Sequence, residues 1–546
     1  MGEQFNDTEK AILSQFCTNV DKPIFGLINL PEVVMGALFS RYSRSTKSLR
    51  RVLLDEFINN PEAGFGEIVG NMENRGTSQL VATRKAEEFY ERVLVGYGDD
   101  SVAELGGAHI AIEDVSNIAT KVLQDARIGL SPLEKSTRYV YFNQKPDGKY
   151  RYVREPTIMK SEFAQEYEQA CDLLFDTYSK LIDPMAQVVQ KQYPKDEKTS
   201  DRAYASSVRA KVCDVLRCLL PASTQTNTGI YGNGRAFEYL LLKMYAHPLQ
   251  EIRDIAATSQ TELSSMIPSF VRRANDKYGQ SGQEYFKNTS REAQGALAQY
   301  NLHESDSGNS AQIKEVELVH FDADAQEKVV AAIMFEHSNK PLSELYSQAM
   351  KLSGAEKEKI ILAYIGNRLN RRQKPGRAFE NVHYAFSLCG NFGMYRDLQR
   401  HRMLTQARQP LSTTHGFEMP PELAAAGFEK EAREAVENAA SVYKKIAKKM
   451  PLEAQYVVPM GYRISWYFNL TIREAYHLIE LRSMPQGHID YRRMVQHMYL
   501  KIKEVHPLFA SGMKFVDMSG GGLERLESEK KIDKKLEEIN RKYGVK

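Results

Sequence analysis

The chain of 546 residues has no apolar run approaching the roughly 20 residues that a membrane helix needs. It has no surplus of one charge: 73 lysines and arginines face 70 acidic residues, a formal net charge of +3. Bulk attraction to nucleic acid or to a membrane surface is therefore not expected. Cysteine is sparse, and Cys17, Cys171, Cys213, Cys218 and Cys389 show no CxxC spacing. That excludes a zinc ribbon and a disulfide framework, and it points to buried thiols in a reducing compartment. The first residues, MGEQFNDTEKAILSQF, lack the basic-then-apolar layout of a secretory signal. The location expected from these features is the cytoplasm. No GxGxxG follows a strand pattern, since GIYGNG from Gly229 lacks that context, so a Rossmann cofactor domain is not expected. The histidines are too scattered in sequence to suggest a metal set, and none is expected.

What is present is an ordinary globular composition, 42% hydrophobic and 26% charged, in a chain long enough for two or more domains. The chain also contains an internal repeat. DSVAELGGAHIAIEDVSNIATKVLQDARIGLS from Asp100 matches GRAFENVHYAFSLCGNFGMYRDLQRHRMLT from Gly376. In each, a glutamate (Glu104, Glu380) precedes an apolar segment and an arginine motif ending in Ser131 or Thr405. The amphipathic stretches YEQACDLLFDTYSKL and REAVENAASVYKKIA form a second match. In the third, Pro221 precedes Arg235 by 14 residues, as Pro459 precedes Arg473. Three blocks in one order predict two homologous halves.

The organisation expected is a first repeat over 1–288, a polar linker over 289–312, a second repeat over 313–519 and a charged helical tail over 520–546. The extra length of the first repeat includes QKQYPKDEKTSDRAYAS, which reads as a polar surface insertion. Helical patterns alternate with β-rich pieces such as TRYVYF and KYRYVREP. The fold class expected is α+β, two helix-rich units each with a small β-sheet.

With these blocks assembled, the chain resembles the flavin-dependent thymidylate synthases. Their signature is Arg-His-Arg, two residues and Ser, then Glu-x-Ser-x-Arg-Tyr, with Arg before Leu-Pro, an Asn-x-Arg helix start and an Arg after Glu-Leu downstream. The first half reads Asp125-Ala126-Arg127 in place of Arg-His-Arg, but keeps Glu134, Ser136, Arg138 and Tyr139, Arg217 before Leu220-Pro221, and Asn233-x-Arg235. It has Lys243 or Met244 where the last arginine belongs. The second half keeps Arg400-His401-Arg402, Arg473 and Glu480-Leu481-Arg482, but loses Glu-x-Ser-x-Arg-Tyr and has Gln455 in the place of Arg217. Each half lacks what the other retains, as expected if one composite site survives and its twin decays.

The resemblance implies FAD-dependent methylation of dUMP to dTMP, with methylenetetrahydrofolate and NADPH as co-substrates. It implies Glu134, Ser136, Arg138, Arg217 and Arg400 as substrate ligands and Arg482 as the catalytic cation. Ser101, Glu104, Asn233, Arg235, Glu380, His401, Arg402, Arg473 and His477 are the implied cofactor residues. Arginine suits a phosphate because its charged fork bonds two oxygens at once. A cation beside the uracil carbonyl would stabilise charge pushed onto the ring. The family's tetramers imply a homodimer of this tandem chain.

Plainer readings stand beside these. Arg-His-Arg at a helix end can neutralise terminal carbonyls. Glu104 and Glu380 can be surface carboxylates, Arg482 can pair with Glu480, and His477 can be a core histidine. A catalytically inactive flavin- or nucleotide-binding scaffold is the alternative from another class, and a nucleic-acid binder is a third.

Overall fold

The computed structural model describes residues 3–59, 102–300 and 313–544. The two repeats trace the same path. In the first, strand β1 (Gly107–Ser116) leads into helix α1 (Asn117–Asp125) and strand β2 (Leu130–Glu134). Two helices follow, α2 (Ala164–Gln192) and α3 (Asp201–Leu216), then strand β3 (Gln225–Asn233), α4 (Gly234–Tyr245) and, later, α5 (Lys277–Leu297). The second repeat opens on β4 (Val316–Phe321) and then has β5 (His383–Asn391), α6 (Phe392–Leu398) and β6 (Leu404–Arg408). Next come α7 (Glu429–Ala447), β7 (Arg463–Thr471), α8 (Ile472–Arg482) and α9 (Ile489–Val505). A last helix, α10 (Leu526–Tyr543), ends the chain.

The sheets are ordered β1-β3-β2 and β4-β5-β7-β6. Their registers correspond: Leu130 faces Gly232 and Ser131 faces Tyr231, as Leu404 faces Leu470 and Thr405 faces Asn469. Strands β3 and β7 alternate buried and exposed residues in nearly the same pattern, the mark of sheets with one face packed on a core.

Two compact units are formed, and they cut across the repeats. The first holds Met1–Val115, Val122–Lys135 and Thr226–Glu304, including the three-stranded sheet, α4 and α5. The second holds Ser116–Lys121, Ser136–Gln225 and Ser305–Lys546. It therefore contains the second repeat's sheet together with α2, α3 and the Leu-Pro turn of the first repeat.

Within that second unit the Leu220-Pro221 turn meets its counterpart, Val458-Pro459. Pro221 and Pro459 face each other antiparallel. Proline has no N–H to give, so the neighbours supply the bonds. Ala222 N donates to Val458 O and Met460 N to Leu220 O, both at 2.9 Å, and Gly461 N donates to Cys218 O at 2.9 Å. A side chain at Gly461 would place its Cβ 2.5 Å from the Phe417 ring and 2.9 Å from Cys218 Cβ, so the close approach requires glycine. Helices α2 and α7 pack together beside this seam. The buried face of α2 is large, with Tyr167, Leu174, Phe175, Tyr178 and Leu181. That of α7 is lined by the smaller Ala432, Ala435, Val436, Ala439 and Val442. Large against small is how two helices interdigitate at close spacing.

Several sequence expectations change. TRYVYF and KYRYVREP are not strands; residues 137–142 form a turn, and only Tyr152 makes an isolated bridge, to Thr224. In KYRYVREP the aromatic content serves packing instead, since Tyr150 and Tyr152 stack on Phe175 of α2 at 4.8 and 5.8 Å. The stretch read as a linker begins inside α5, which runs to Leu297 with nearly every late residue exposed, so its polarity reflects a solvated helix. Residues 301–312 lie outside the described residues. The segment Gln190–Ser206 is mostly exposed, in keeping with a polar surface insertion; it joins the end of α2 to the capped start of α3 through a non-helical stretch over 193–200. The tail is the expected charged helix. It packs on α3, where Arg202 Nη1 meets Glu529 Oε2 at 3.0 Å.

Glu480 does not pair with Arg482. Its carboxylate accepts both Nη groups of Arg368, at 2.7 and 2.5 Å, with side chains 1% and 3% exposed. Breaking one partner of so buried a pair strands the other charge. Glu480→Ala is expected to lower unfolding free energy by about 3–5 kcal/mol, read by urea denaturation.

Candidate active site

The same strand–turn–helix joint occurs in both repeats. Ser116 Oγ accepts from Ala119 N at 2.9 Å, and Asn391 Oδ1 accepts from Met394 N at 2.8 Å, so each strand's last residue caps the next helix. Asn233 caps α4 and Thr471 caps α8. Behind each cap lies the same ion pair, Arg235 with Glu104 at 2.7 Å and Arg473 with Glu380 at 3.2 Å. These four residues, assigned by resemblance to cofactor binding, are thus paired with one another, and the Arg235–Glu104 pair is about half exposed. Ser101 lies outside the described residues.

Arg400-His401-Arg402 occupies the turn between the end of α6 and Leu404 at the start of β6. Three successive turn residues face different ways, so the triplet serves more than one partner. His401 is 3% exposed, while Arg400 and Arg402 are exposed. His401 Nδ1 is 2.8 Å from Glu474 Oε1, and Arg482 Nε–H donates to His401 Nε2 at 3.0 Å.

The second unit brings together arginines from both repeats. Arg138 and Arg217 come from the first repeat, and Arg400 and Arg482 from the second. All four act on Asp397, one turn before Arg400. Burial opposes ionisation of this carboxyl, but Arg400, Arg482, Arg217 and Arg138 outweigh it and hold the group far below the usual carboxylate range. Arg217 Nη1 lies 3.9 Å from Asp397 Oδ2, and its buried Nη2 has no hydrogen-bond partner among the described residues. Arg217 also lines a cavity of about 280 Å³ with Lys211, His488 and Asp490.

Arg138 is not an open fork. Its Nε and Nη2 donate to the two oxygens of Asp214 at 2.7 and 2.6 Å, and Nη1 donates to Gln486 O at 3.5 Å. Ser136 Oγ accepts from Arg138 N at 3.1 Å. Glu134 belongs to the first unit, where it is buried and accepts from Gln124 Nε2 at 2.9 Å. Gln455, the degenerate counterpart of Arg217, ties backbone segments together, accepting from Leu411 N at 2.8 Å and donating to Leu452 O at 2.9 Å.

His477 is half-buried at the centre of a second cationic cluster. Burial, then Lys374, Arg371, Arg482 and Arg473, pull its pKa down to about 4, so it is neutral at pH 7. The ring packs edge-on against His401 at 5.3 Å. The fold therefore gathers potential metal ligands that look scattered in sequence, for ligand atoms of His401, Glu474 and His477 lie within 4.8 Å of one another. Both nitrogens of His401 are already engaged, and four cations surround His477, a setting adverse to a metal cation.

Sequence reasoning missed Asp214, Asp397, Glu474, Arg371 and Lys374. The two aspartates had a signal: Asp214-x-x-Arg217 and Asp397-x-x-Arg400 place an acid one helical turn before each arginine. The five cysteines are buried and unpaired, as expected.

The family model described as thymidylate synthase complementing protein matches this chain twice, over residues 56–269 and 317–508. A UPF0159 protein of Chlamydia pneumoniae is 45% identical over 529 residues, 96% of this chain and 98% of that protein. A UPF0159 protein of Thermoplasma acidophilum is 35% identical over 520 residues, 90% of this chain and 97% of its own length. Among solved structures, a UMP/dUMP methylase, PolB from Streptomyces cacaoi bound with 5-Br dUMP, aligns at a TM-score of 0.29 and 16% identity, over 37% of this chain and 94% of that one. Matched once in each repeat, with complementary motifs lost from the two halves, the chain belongs to the flavin-dependent thymidylate synthase family as a tandem duplication.

Proposed function

We propose that the protein methylates dUMP to dTMP with methylenetetrahydrofolate as carbon donor, NADPH as reductant and FAD as cofactor. The observation that carries this reading is the set of four arginines, two from each repeat, around Asp397 in a single chain. The four guanidinium groups are partly balanced by carboxylates, Asp397, Asp214 and, beside Arg217, Asp490. The set keeps a net positive charge, which suits the anionic phosphate of a nucleotide.

In this reading Arg217 and Arg400 bind the phosphate, with Arg138 contributing Nη1, whose bond to Gln486 O is long at 3.5 Å. Asp214 and Asp397 keep the like-charged forks from repelling one another and fix their planes. Arg482 places a cation at the uracil ring, where negative charge develops as C5 becomes nucleophilic, and holds it more strongly there than in the resting substrate. No cysteine lies in this set, so no thiolate attack on the ring is invoked.

The cluster of Lys374, Arg371, Arg473 and Arg482 around neutral His477 fits the pyrophosphate of FAD, with Arg402 as a further ligand. When bound, FAD supplies the two-electron chemistry that converts a carbon at the formaldehyde level to a methyl group. A non-catalytic nucleotide-binding scaffold is the second reading, favoured by the closure of the Arg138 fork on Asp214. Two chains are proposed to pair as a homodimer.

Four outcomes test these statements. Purified protein should carry non-covalent FAD absorbance, diminished in Arg473→Ala; a protein that takes up no flavin on titration removes the FAD assignment. Tritium release from 5-tritiated dUMP should depend on the folate and on NADPH. Arg400→Ala should weaken dUMP binding by about 2–5 kcal/mol, whereas Arg482→Ala should lower kcat by about 100-fold with a smaller effect on KM. Nucleotide binding without tritium release selects the scaffold reading. Light scattering should report the mass of two chains; a monomer at working concentration removes the homodimer.

A further inference from the structure

We propose that Glu474 is a positioning residue for Arg482 and acts through His401. The inference rests on the role proposed for Arg482 above. Glu474 lies outside every motif that carries the family resemblance.

The argument begins with donors and acceptors. Arginine only donates. Because Arg482 Nε–H points at His401 Nε2 at 3.0 Å, that nitrogen carries a lone pair and no proton. The neutral ring then holds its proton on Nδ1, from which it donates to Glu474 Oε1 at 2.8 Å. The side chains of His401 and Glu474 are 2% and 6% exposed, so water does not compete for these bonds. The carboxylate thus fixes both the tautomer and the ring plane, and the ring fixes the guanidinium plane. One donor of Arg482 is spent on His401. Its two Nη groups have no hydrogen bond to a described residue and remain to meet a ligand. Tyr491 covers one face of the guanidinium, with the ring centroid 5.8 Å from Cζ.

A metal site built on the same residues is the competing use of this cluster. It would require His401 to give up Arg482 or Glu474, and it would seat a cation beside Lys374, Arg371 and Arg473. The relay uses every bond as it stands.

The test pairs a spectroscopic readout with kinetics on the full-length protein. With 15N-labelled histidine, and with His401→Asn identifying the signals, wild type should show His401 Nε2 at the shift of an unprotonated ring nitrogen. Glu474→Ala should move both ring nitrogens towards averaged tautomers, while Glu474→Gln, whose amide oxygen still accepts, should return them. In dUMP turnover, Glu474→Ala should lower kcat by about 10–100-fold with KM little changed, and Glu474→Gln should recover most of the loss. Unchanged ring shifts in Glu474→Ala overturn the proposal, as does an equal loss in the Ala and Gln variants. If wild type turns over no dUMP, the functional reading fails and the ring shifts alone decide the relay. Titration of wild type with Zn²⁺ that shifts His401 and His477 together would favour the metal use instead.

Discussion

Four arginines cannot be gathered in a partly buried space without a counter-charge, and Asp397 supplies it. Its side chain is 18% exposed and lies under the influence of Arg138, Arg217, Arg400 and Arg482. Two like charges a few ångströms apart in such surroundings repel by several kcal/mol at an effective dielectric of about 20. The carboxylate turns that repulsion into attraction at every member. Asp214 repeats the device, with two short bonds to Arg138 and with Arg217 also acting on it. The cost is that these acids occupy donors a ligand would otherwise use, so the cluster is tuned rather than simply positive.

The scaffold delivers these residues because the two repeats share a joint. A strand ends on a capping residue, a helix begins, and the next strand returns alongside; the cap and the register recur in both copies. At the joint itself the two copies differ in their side chains. Arg217 lines a cavity at the centre, while its counterpart Gln455 stitches two backbone segments together. Loss of the charged group was compatible with the fold because the amide took over local hydrogen bonding. The backbone geometry serves a site in one copy and a plain structural contact in the other.

Much of this was legible in the sequence, and what was not has identifiable reasons. The duplication could be read because Pro221 and Arg235 keep the spacing of Pro459 and Arg473, and such spacing survives when individual residues change. The convergence of Arg138 and Arg217 with Arg400 and Arg482 followed from the complementary losses. The strands did not follow for TRYVYF, which begins as a turn, or for KYRYVREP, where two tyrosines that favour sheets stack on a helix and only Tyr152 makes a bridge. Partners distant in sequence were invisible: nothing local tells that Glu480 belongs to Arg368, or that Glu474 meets His401 across 73 residues. Asp397 and Asp214 lay in plain view one turn from arginines, but an acid at that spacing ordinarily signals a surface ion pair.

The backbone ladder at Pro221 and Pro459 has a consequence for dilution. A site assembled from separate subunits loses its partners by mass action as protein concentration falls. Here the first repeat's Arg138 and Arg217 are tethered to the second repeat's Arg400 and Arg482 by one chain and by backbone bonds inside one compact unit. Tethering replaces bulk concentration with an effective one, typically in the millimolar range for short flexible links. The arginine cluster therefore forms at whatever level the cell makes the protein, including levels at which a non-covalent pair of single repeats would come apart.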